Sequence, residues 1–198
     1  MSKDNLYYKK YAKQLSKMVA SNEFQKMLGP EVNNKIMKYS DLEGVKDLND
    51  IMTEPKDYRI ILIETQRNTG HWTTILKYND KYFEWFDSYS LKPDAEFEFI
   101  SPEMQEILDE RQHILTILLN KVLLKGGKWI YNNIKFQKQA ENVNSCGRWT
   151  ITRLYFFMKL NYNLKQFQDF FINWKKRTNL PFDILVVEFT KVLNLKKI

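Results

Sequence analysis

The spacing of hydrophobic residues changes along the chain from a helical pattern to a strand pattern and back. Residues 1 to about 55 are predicted to be helical and irregular, because apolar positions recur at helical spacing and Gly29-Pro30 interrupts them. Beyond them, three short runs rich in β-branched and aromatic residues predict a three-stranded antiparallel meander. The three runs are residues 58–65, 71–78 and 81–88.

The second half of the chain returns mainly to a helical pattern. A long helix is predicted over residues 102–124, with acidic residues in its first turns and Gly126-Gly127 after its end. Residues 128–136 predict a fourth strand. Three further helices are predicted over residues 146–160, 164–175 and 181–193.

These elements predict an α+β fold with a central, mostly antiparallel sheet flanked by helices. No repeat, low-complexity tract or linker divides the chain, so we expect a single domain over residues 1–198. Within it, we expect residues 1–55 to form a helical extension, 58–160 a core and 161–198 the C-terminal helices.

Composition excludes several classes of protein. The chain has one cysteine and two histidines, so it has no intramolecular disulfide and no Cys-rich zinc site, and we expect no metal and no cofactor. No apolar run approaches the roughly 20 residues that cross a bilayer, and the N-terminus lacks the apolar core of a signal peptide. We therefore expect no membrane association.

The net charge of +7 leaves two interpretations open. A solvated, lysine-rich surface accounts for it, because the charges are scattered rather than gathered in one block. A basic surface also attracts nucleic acid, although the sequence contains no nucleic-acid-binding motif.

Cys146 lies where a polar loop becomes a helix, which is an unusual place for a thiol that only fills a core. The first turn of a helix favours the thiolate, because unpaired N–H groups and the positive end of the helix dipole point toward it. Gly147 beside it allows a substrate backbone to approach closely. These features favour a nucleophile over a core filler or a metal ligand.

A cysteine nucleophile needs a base, and His71 is the better placed of the two histidines. It begins a strand after a turn glycine, whereas His113 is predicted to lie inside the long helix. With a two-residue loop at Asn79-Asp80, Asp87 would fall opposite Trp72, one step away from His71. A bulge or one extra loop residue would correct this register, so we choose Asp87 as the acid that orients His71.

An oxyanion needs a hydrogen-bond donor besides the backbone N–H of the cysteine. Gln137 and Gln139 both precede Cys146. Gln137 is expected to belong to the end of the fourth strand. Gln139 is therefore our candidate donor, since the loop that follows it can fold its amide back over Cys146.

Three motifs in this chain order resemble those of the cysteine peptidases that include the adenovirus maturation protease (adenain) and the SUMO-deconjugating proteases. They are "GHW" at His71, "FDS" with its aspartate 16 positions later, and "QAENVNSCG" with its glutamine seven positions before Cys146. The sequence "NSCGRW" around the cysteine is most similar to that of family members from virophages and large DNA viruses. The resemblance covers residues 58–160.

The resemblance implies a cysteine-peptidase fold, a site without a metal, and roles for particular residues. His71 resembles the general base, Asp87 the acid, Gln139 the oxyanion donor and Cys146 the nucleophile. Trp72 resembles the aromatic wall of a narrow, glycine-selecting channel, although a core tryptophan is an equal alternative. The chain departs from adenain in having an aspartate as the acid and no second cysteine to hold an activating peptide.

The expected function is a maturation endopeptidase that cleaves virion precursor proteins, such as a capsid protein, at glycine-containing sites in the virion and host cytoplasm. Three alternatives stay open: an isopeptidase acting on a ubiquitin-like modifier, an acetyltransferase using the same residue set, and a basic virion protein that binds nucleic acid. Lys125–Lys128 contains a Gly-Gly-X sequence that such peptidases cut, but we favour a helix-ending role for its glycines and expect no self-cleavage.

Overall fold

The computed structural model describes residues 3–110 and 112–195, and it forms two compact units. The sheet unit is Lys35–Asn133, and the helical unit falls within Met1–Asn34 and Ile134–Ile198. The expectations for residues 1–2, 111 and 196–198 lie outside the described residues.

The sheet unit is built on a five-stranded sheet with the strand order β1-β2-β3-β4-β5. β2 and β3 pair in antiparallel fashion, as do β3 and β4, which confirms the predicted meander. β1 and β5 instead run parallel to their neighbours, so the sheet is mixed rather than mostly antiparallel. The strands are β1 (Ile36–Lys38), β2 (Tyr58–Gln66), β3 (Thr69–Asn79), β4 (Tyr82–Phe86) and β5 (Lys128–Tyr131).

β1 lies in the stretch that was predicted to be helical and irregular. It has only three residues, and none of them is fully buried, so it lacks the long β-branched run that marks β2. Its pairing with Ile60, Ile61 and Leu62 of β2 supplies the backbone hydrogen bonds that make it a strand. Tertiary pairing, which local propensity does not report, decides its structure.

The predicted helix over residues 102–124 is wrong in its middle. The chain forms α5 (Pro102–Leu108) and α6 (Ile114–Leu124), and Asp109 between them adopts a left-handed conformation with φ of 59°. The break is stabilised by partners distant in sequence: Ile114 N donates to Tyr39 Oη at 2.7 Å, and Thr116 N donates to Asp94 Oδ2 at 2.7 Å. These bonds cap the start of α6 and place His113 at its N-cap.

The core of the sheet unit lies between one face of the sheet and α6. Ile61, Ile75 and Trp85 from the three central strands cluster with Leu115 and Leu119, and all five side chains are at most 1% exposed. The helix thus covers the sheet with a row of leucines spaced at helical intervals.

The helical unit is organised around a cluster of aromatic side chains on α7. Trp149 stacks on Phe136 with ring centroids 4.6 Å apart, and its ring also contacts Phe171 at 4.8 Å. Within the described residues, none of the helices is both long and apolar enough to cross a membrane. The helices of this unit are α1 (Lys3–Lys10), α2 (Ala12–Leu15), α3 (Ser21–Leu28), α7 (Cys146–Met158), α8 (Leu164–Thr178) and α9 (Phe182–Leu195). The short α4 (Leu48–Ile51) belongs to the sheet unit.

Candidate active site

His71 is the third residue of β3 and pairs with Ile63 of β2. The preceding residue, Gly70, must be a glycine because the backbone of β2 lies close to it. A Cβ at this position would lie 1.9 Å from the carbonyl oxygen of Ile63. The sequence suggested a turn glycine at this position, whereas Gly70 is a strand residue paired with Glu64 beside a shift in the β2–β3 register. The imidazole is buried, with 7% of the residue exposed.

Asp87 follows the last residue of β4, and its carboxylate meets the imidazole of His71. The distance between Asp87 Oδ2 and His71 Nε2 is 3.1 Å. The other carboxylate oxygen accepts a hydrogen bond from Tyr89 N at 2.5 Å, and Asn132 Nδ2 donates to the Asp87 carbonyl oxygen at 2.8 Å. These bonds fix both the side chain and the backbone of Asp87.

Glu84, the other acid of the strand, is kept away from His71 by the register. It pairs with Leu76 and so projects from the opposite face of the sheet. Its Oε2 accepts a hydrogen bond from Tyr78 Oη at 2.6 Å.

Two further side chains surround His71, and sequence reasoning missed both. The ring of Tyr89 stacks on the imidazole with centroids 4.8 Å apart. Glu96, in a 3-10 helix over Ala95–Phe99, places Oε1 3.6 Å from His71 Nε2. The sequence "AEFEF" does not distinguish the buried Glu96 from the exposed Glu98. Which of the two acids reaches His71 depends on the path of the chain after β4, and their spacing in the sequence does not report that path.

The imidazole therefore lies against two carboxylates at once. One ligand atom from each of His71, Asp87 and Glu96 lies within 4.8 Å of the others. Negative charge on this side of the ring stabilises the positive charge that His71 gains when it accepts a proton. The ring is thereby held with Nε2 toward the acids, and Nδ1 is the nitrogen that faces the other way.

Cys146 is the first residue of α7 in the helical unit and is half-buried. The residue before it, Ser145, makes no side-chain cap to the helix. Its hydroxyl instead donates to Asp183 Oδ1 at 2.5 Å. The sequence expectation that Cys146 begins a helix is confirmed.

Asp183 is a buried carboxylate that organises the loop before Cys146. Besides Ser145, it accepts hydrogen bonds from Lys138 N at 3.0 Å and Tyr8 Oη at 2.8 Å. Burial raises the pKa of Asp183, and the hydrogen bond from Ser145 is the largest of the contributions that lower it. Lys138 and Ser145 lie on either side of Gln139 and the loop, so one side chain holds both ends of the segment.

The two glutamines differ in their surroundings. Gln137 is buried, lies beyond β5 rather than in a strand, and donates from Nε2 to the Val143 carbonyl at 2.7 Å. Gln139 is exposed, and its Oε1 accepts a hydrogen bond from Lys135 Nζ at 3.4 Å. The role of Gln139 as oxyanion donor stays a prediction, and Gln137 braces the loop on which it lies.

The two candidates for substrate binding, Trp72 and Gly147, are buried. Trp72 is 7% exposed and pairs with Leu62, and Gly147 lies buried in the first turn of α7. Their substrate-binding roles stay predictions. His113 is exposed at the start of α6, with its ring 5.8 Å from that of Phe97.

A search for relatives found a virophage protein. Over 144 residues the chain is 31% identical to V9 of Sputnik virophage, an uncharacterized protein, and the match covers 73% of this chain and 80% of V9. No protein-family model matches the chain, and no solved structure matches it. Because the identity extends over most of both sequences, the chain belongs to the same virophage protein family as V9.

Proposed function

We propose that this protein is a cysteine endopeptidase that processes precursor proteins of the virion, in the virion and in the host cytoplasm. The observation that carries the proposal is the buried pair of His71 and Asp87, whose Nε2 and Oδ2 atoms lie 3.1 Å apart. A buried imidazole oriented by a carboxylate is the base that a cysteine nucleophile requires.

The nucleophile in this proposal is the Cys146 thiolate. Its place at the start of α7 directs the N–H groups of the first turn and the positive end of the helix dipole toward it. Since Ser145 donates its hydroxyl to Asp183, it does not compete for those N–H groups. This placement supports nucleophilic attack rather than a packing role.

The proposed reaction follows from these groups. The Cys146 thiolate attacks the scissile carbonyl carbon, and the oxyanion is held by the Cys146 backbone N–H and the Gln139 amide. His71, charged by the proton it took from the thiol, gives that proton to the leaving amine as the C–N bond breaks. Water then attacks the thioester, His71 removes a proton from this water, and the carboxylic acid product leaves with Cys146 regenerated.

The membership of a virophage family supports a virion substrate, such as the capsid protein. Incubation with co-expressed virion proteins, followed by mass spectrometry of new termini, is the direct test. Wild-type protein should create new termini after glycine-containing sequences, and Cys146→Ala should create none. Equal cleavage by Cys146→Ala would overturn the proposal.

An isopeptidase that removes a ubiquitin-like modifier would differ from the proposed endopeptidase in its substrate, and covalent probes can distinguish the two. A vinyl sulfone attached to a ubiquitin-like modifier would trap Cys146 of an isopeptidase as a covalent adduct. An endopeptidase that selects short virion sequences would form an adduct with a peptide vinyl sulfone built on the cleaved site instead. Salt-dependent DNA binding with an unreactive Cys146 would favour the nucleic-acid-binding alternative.

A further inference from the structure

The three side chains at His71 have the spacing of metal ligands. His71 Nε2 is 3.1 Å from Asp87 Oδ2 and 3.6 Å from Glu96 Oε1. One ligand atom from each of the three residues lies within 4.8 Å of the others. Zinc binds imidazole nitrogen and carboxylate oxygen at about 2.0–2.2 Å, so two ligands of a tetrahedral site are about 3.4 Å apart. The two distances from His71 lie on either side of this value. We infer that His71, Asp87 and Glu96 bind a divalent transition-metal ion, with zinc the best match.

The ligands come from elements that already hold them in place. Asp87 is fixed through Tyr89 N and Asn132 Nδ2, and the Tyr89 ring lies 4.8 Å from the imidazole and 20° from parallel to it. Contacts of this kind orient ligands and raise metal affinity. The ligands are also sheltered, with 7% of His71, 1% of Asp87 and 9% of Glu96 exposed. Binding therefore requires little rearrangement of the sheet unit.

The donor atoms select the class of metal. One imidazole with two carboxylates suits zinc and its neighbours among the transition metals, whereas calcium and magnesium prefer six or more oxygen ligands. Three protein ligands leave a fourth position for water, which is the arrangement of an exchangeable ion rather than of a closed structural site.

The consequence for catalysis rests on the proposed function. A metal ion on Nε2 takes the lone pair of that nitrogen, so the ring keeps its one proton on Nδ1, and a proton carried on Nε2 is released to solvent. Such a ring cannot accept the proton of the Cys146 thiol. Zinc bound at this site would therefore switch the peptidase off, and a chelator would restore it.

The metal site is tested in protein that lacks the thiol. Chelator-treated Cys146→Ala protein is titrated with Zn²⁺ by calorimetry and with Co²⁺ by visible absorption, whose d–d bands report tetrahedral coordination. One ion per chain should bind. Adding His71→Ala or Glu96→Gln should weaken binding at least about tenfold. His113→Ala, which removes the other histidine, and Glu98→Gln, which changes the exposed neighbour of Glu96, should leave it unchanged.

Three results would overturn the inference: no binding by Cys146→Ala protein, undiminished binding after His71→Ala and Glu96→Gln, or loss of binding after His113→Ala. Circular dichroism checks that each variant folds. If His71→Ala does not fold, the binding measured for Glu96→Gln decides the question. The two proposals fail separately. Zinc binding without cleavage of any virion protein contradicts the peptidase alone, and cleavage by a protein that binds no zinc contradicts the metal site alone.

Discussion

The carboxylate of Asp87 lies 3.1 Å from the imidazole of His71 because the β3–β4 hairpin contains a bulge. The register shifts between Lys77 and Asn79, so Tyr78 is one residue more than a regular pairing allows. If the pairing of Asn79 with Tyr82 continued without the bulge, Asp87 would fall opposite Thr74 and face away from His71. With the bulge, the last pair is Thr74 and Phe86, and Asp87 continues the strand on the face that carries His71.

Asp87→Asn should lower kcat/KM by roughly 10²–10⁴-fold, because the amide keeps the size of the side chain but loses the charge that stabilises protonated His71. The rate of Cys146 alkylation by iodoacetamide should fall as well. Glu84→Gln is the matched control, since Glu84 pairs with Leu76 and bonds to Tyr78. If Glu84→Gln were inactive and Asp87→Asn normal, the assignment of the acid would be wrong.

Gln139→Ala should reduce kcat by about 10²–10³-fold, which is the usual effect of removing one oxyanion donor. Alkylation of Cys146 should change little, because iodoacetamide forms no oxyanion. Gln137→Ala should act differently: its amide holds the Val143 carbonyl, so the variant should lose thermal stability. A larger loss of kcat from Gln137→Ala than from Gln139→Ala, in folded protein, would transfer the role to Gln137.

Sequence reasoning reached the strands that carry a strong local pattern. β2 has a β-branched run, β3 and β4 follow turn residues, and the helix at Cys146 begins where its loop ends. It could not reach the break between α5 and α6, because Tyr39 and Asp94, which cap α6, lie about 75 and 22 positions away from the N–H groups they accept. Local helix propensity continues through this segment, and tertiary hydrogen bonds override it.

The site was predictable to the same extent. His71 and Asp87 belong to one hairpin, so strand pairing alone limits which acid meets the imidazole. Glu96 comes from a separate 3-10 helix, and its position depends on the path of the chain after β4. Asp183 lies 38 positions from Ser145 in the sequence. Neither hydrophobic periodicity nor a motif predicts that its side chain holds the loop before Cys146.

Asp183→Asn should destabilise the protein by about 1–3 kcal/mol, because the carboxylate accepts from three donors and an amide offers one acceptor and one opposing donor. The loop before Cys146 should loosen, with faster amide hydrogen exchange at Lys138 and Asn144. Asp169→Asn changes an exposed carboxylate that bonds to Lys165 and should have a small effect. Unchanged exchange at the loop in Asp183→Asn would contradict its organising role.

Glu110 should make stability depend on pH near neutrality. The pKa of Glu110 is raised to about 7, mainly by burial. The charge of Glu64 contributes to the rise, while the hydrogen bond from Glu64 N and the charge of Lys38 oppose it. The folded protein thus keeps a proton that the unfolded chain loses near pH 4.5. The contribution to the free energy of unfolding is complete below pH 4.5 and is lost as the pH rises to about 7.

Glu110→Gln should remove this dependence, because the amide oxygen can still accept from Glu64 N but does not titrate. Above pH 7, the variant should be more stable than wild type by up to about 3 kcal/mol. Urea denaturation at pH 5 and pH 8 measures the difference, with Glu98→Gln as the exposed control. Equal pH slopes in Glu110→Gln and wild type would show that Glu110 does not hold the proton.

The purified protein should stay a single chain, although Gly126-Gly127 is a sequence that the proposed class of peptidase cuts. The segment is bound on both sides, with Gly127 N donating to the Val122 carbonyl at 2.9 Å and Lys128 N to the Lys81 carbonyl at 2.7 Å. Gly126 has φ of +72°, and a Cβ on Gly127 would lie 2.7 Å from the Lys81 carbonyl oxygen. The fold therefore accounts for a glycine at both positions without any role in cleavage.

A peptidase channel accepts an extended peptide, and freeing this one would break the end of α6 and the pairing of β5 with β4. Intact-mass spectrometry after prolonged incubation should therefore show one species. Fragments ending at Gly127 in wild type, absent from Cys146→Ala, would mean that the helix end opens and that the sequence is a substrate. The same fragments in both proteins would point to a contaminating protease, because Cys146→Ala has no thiol to attack the bond.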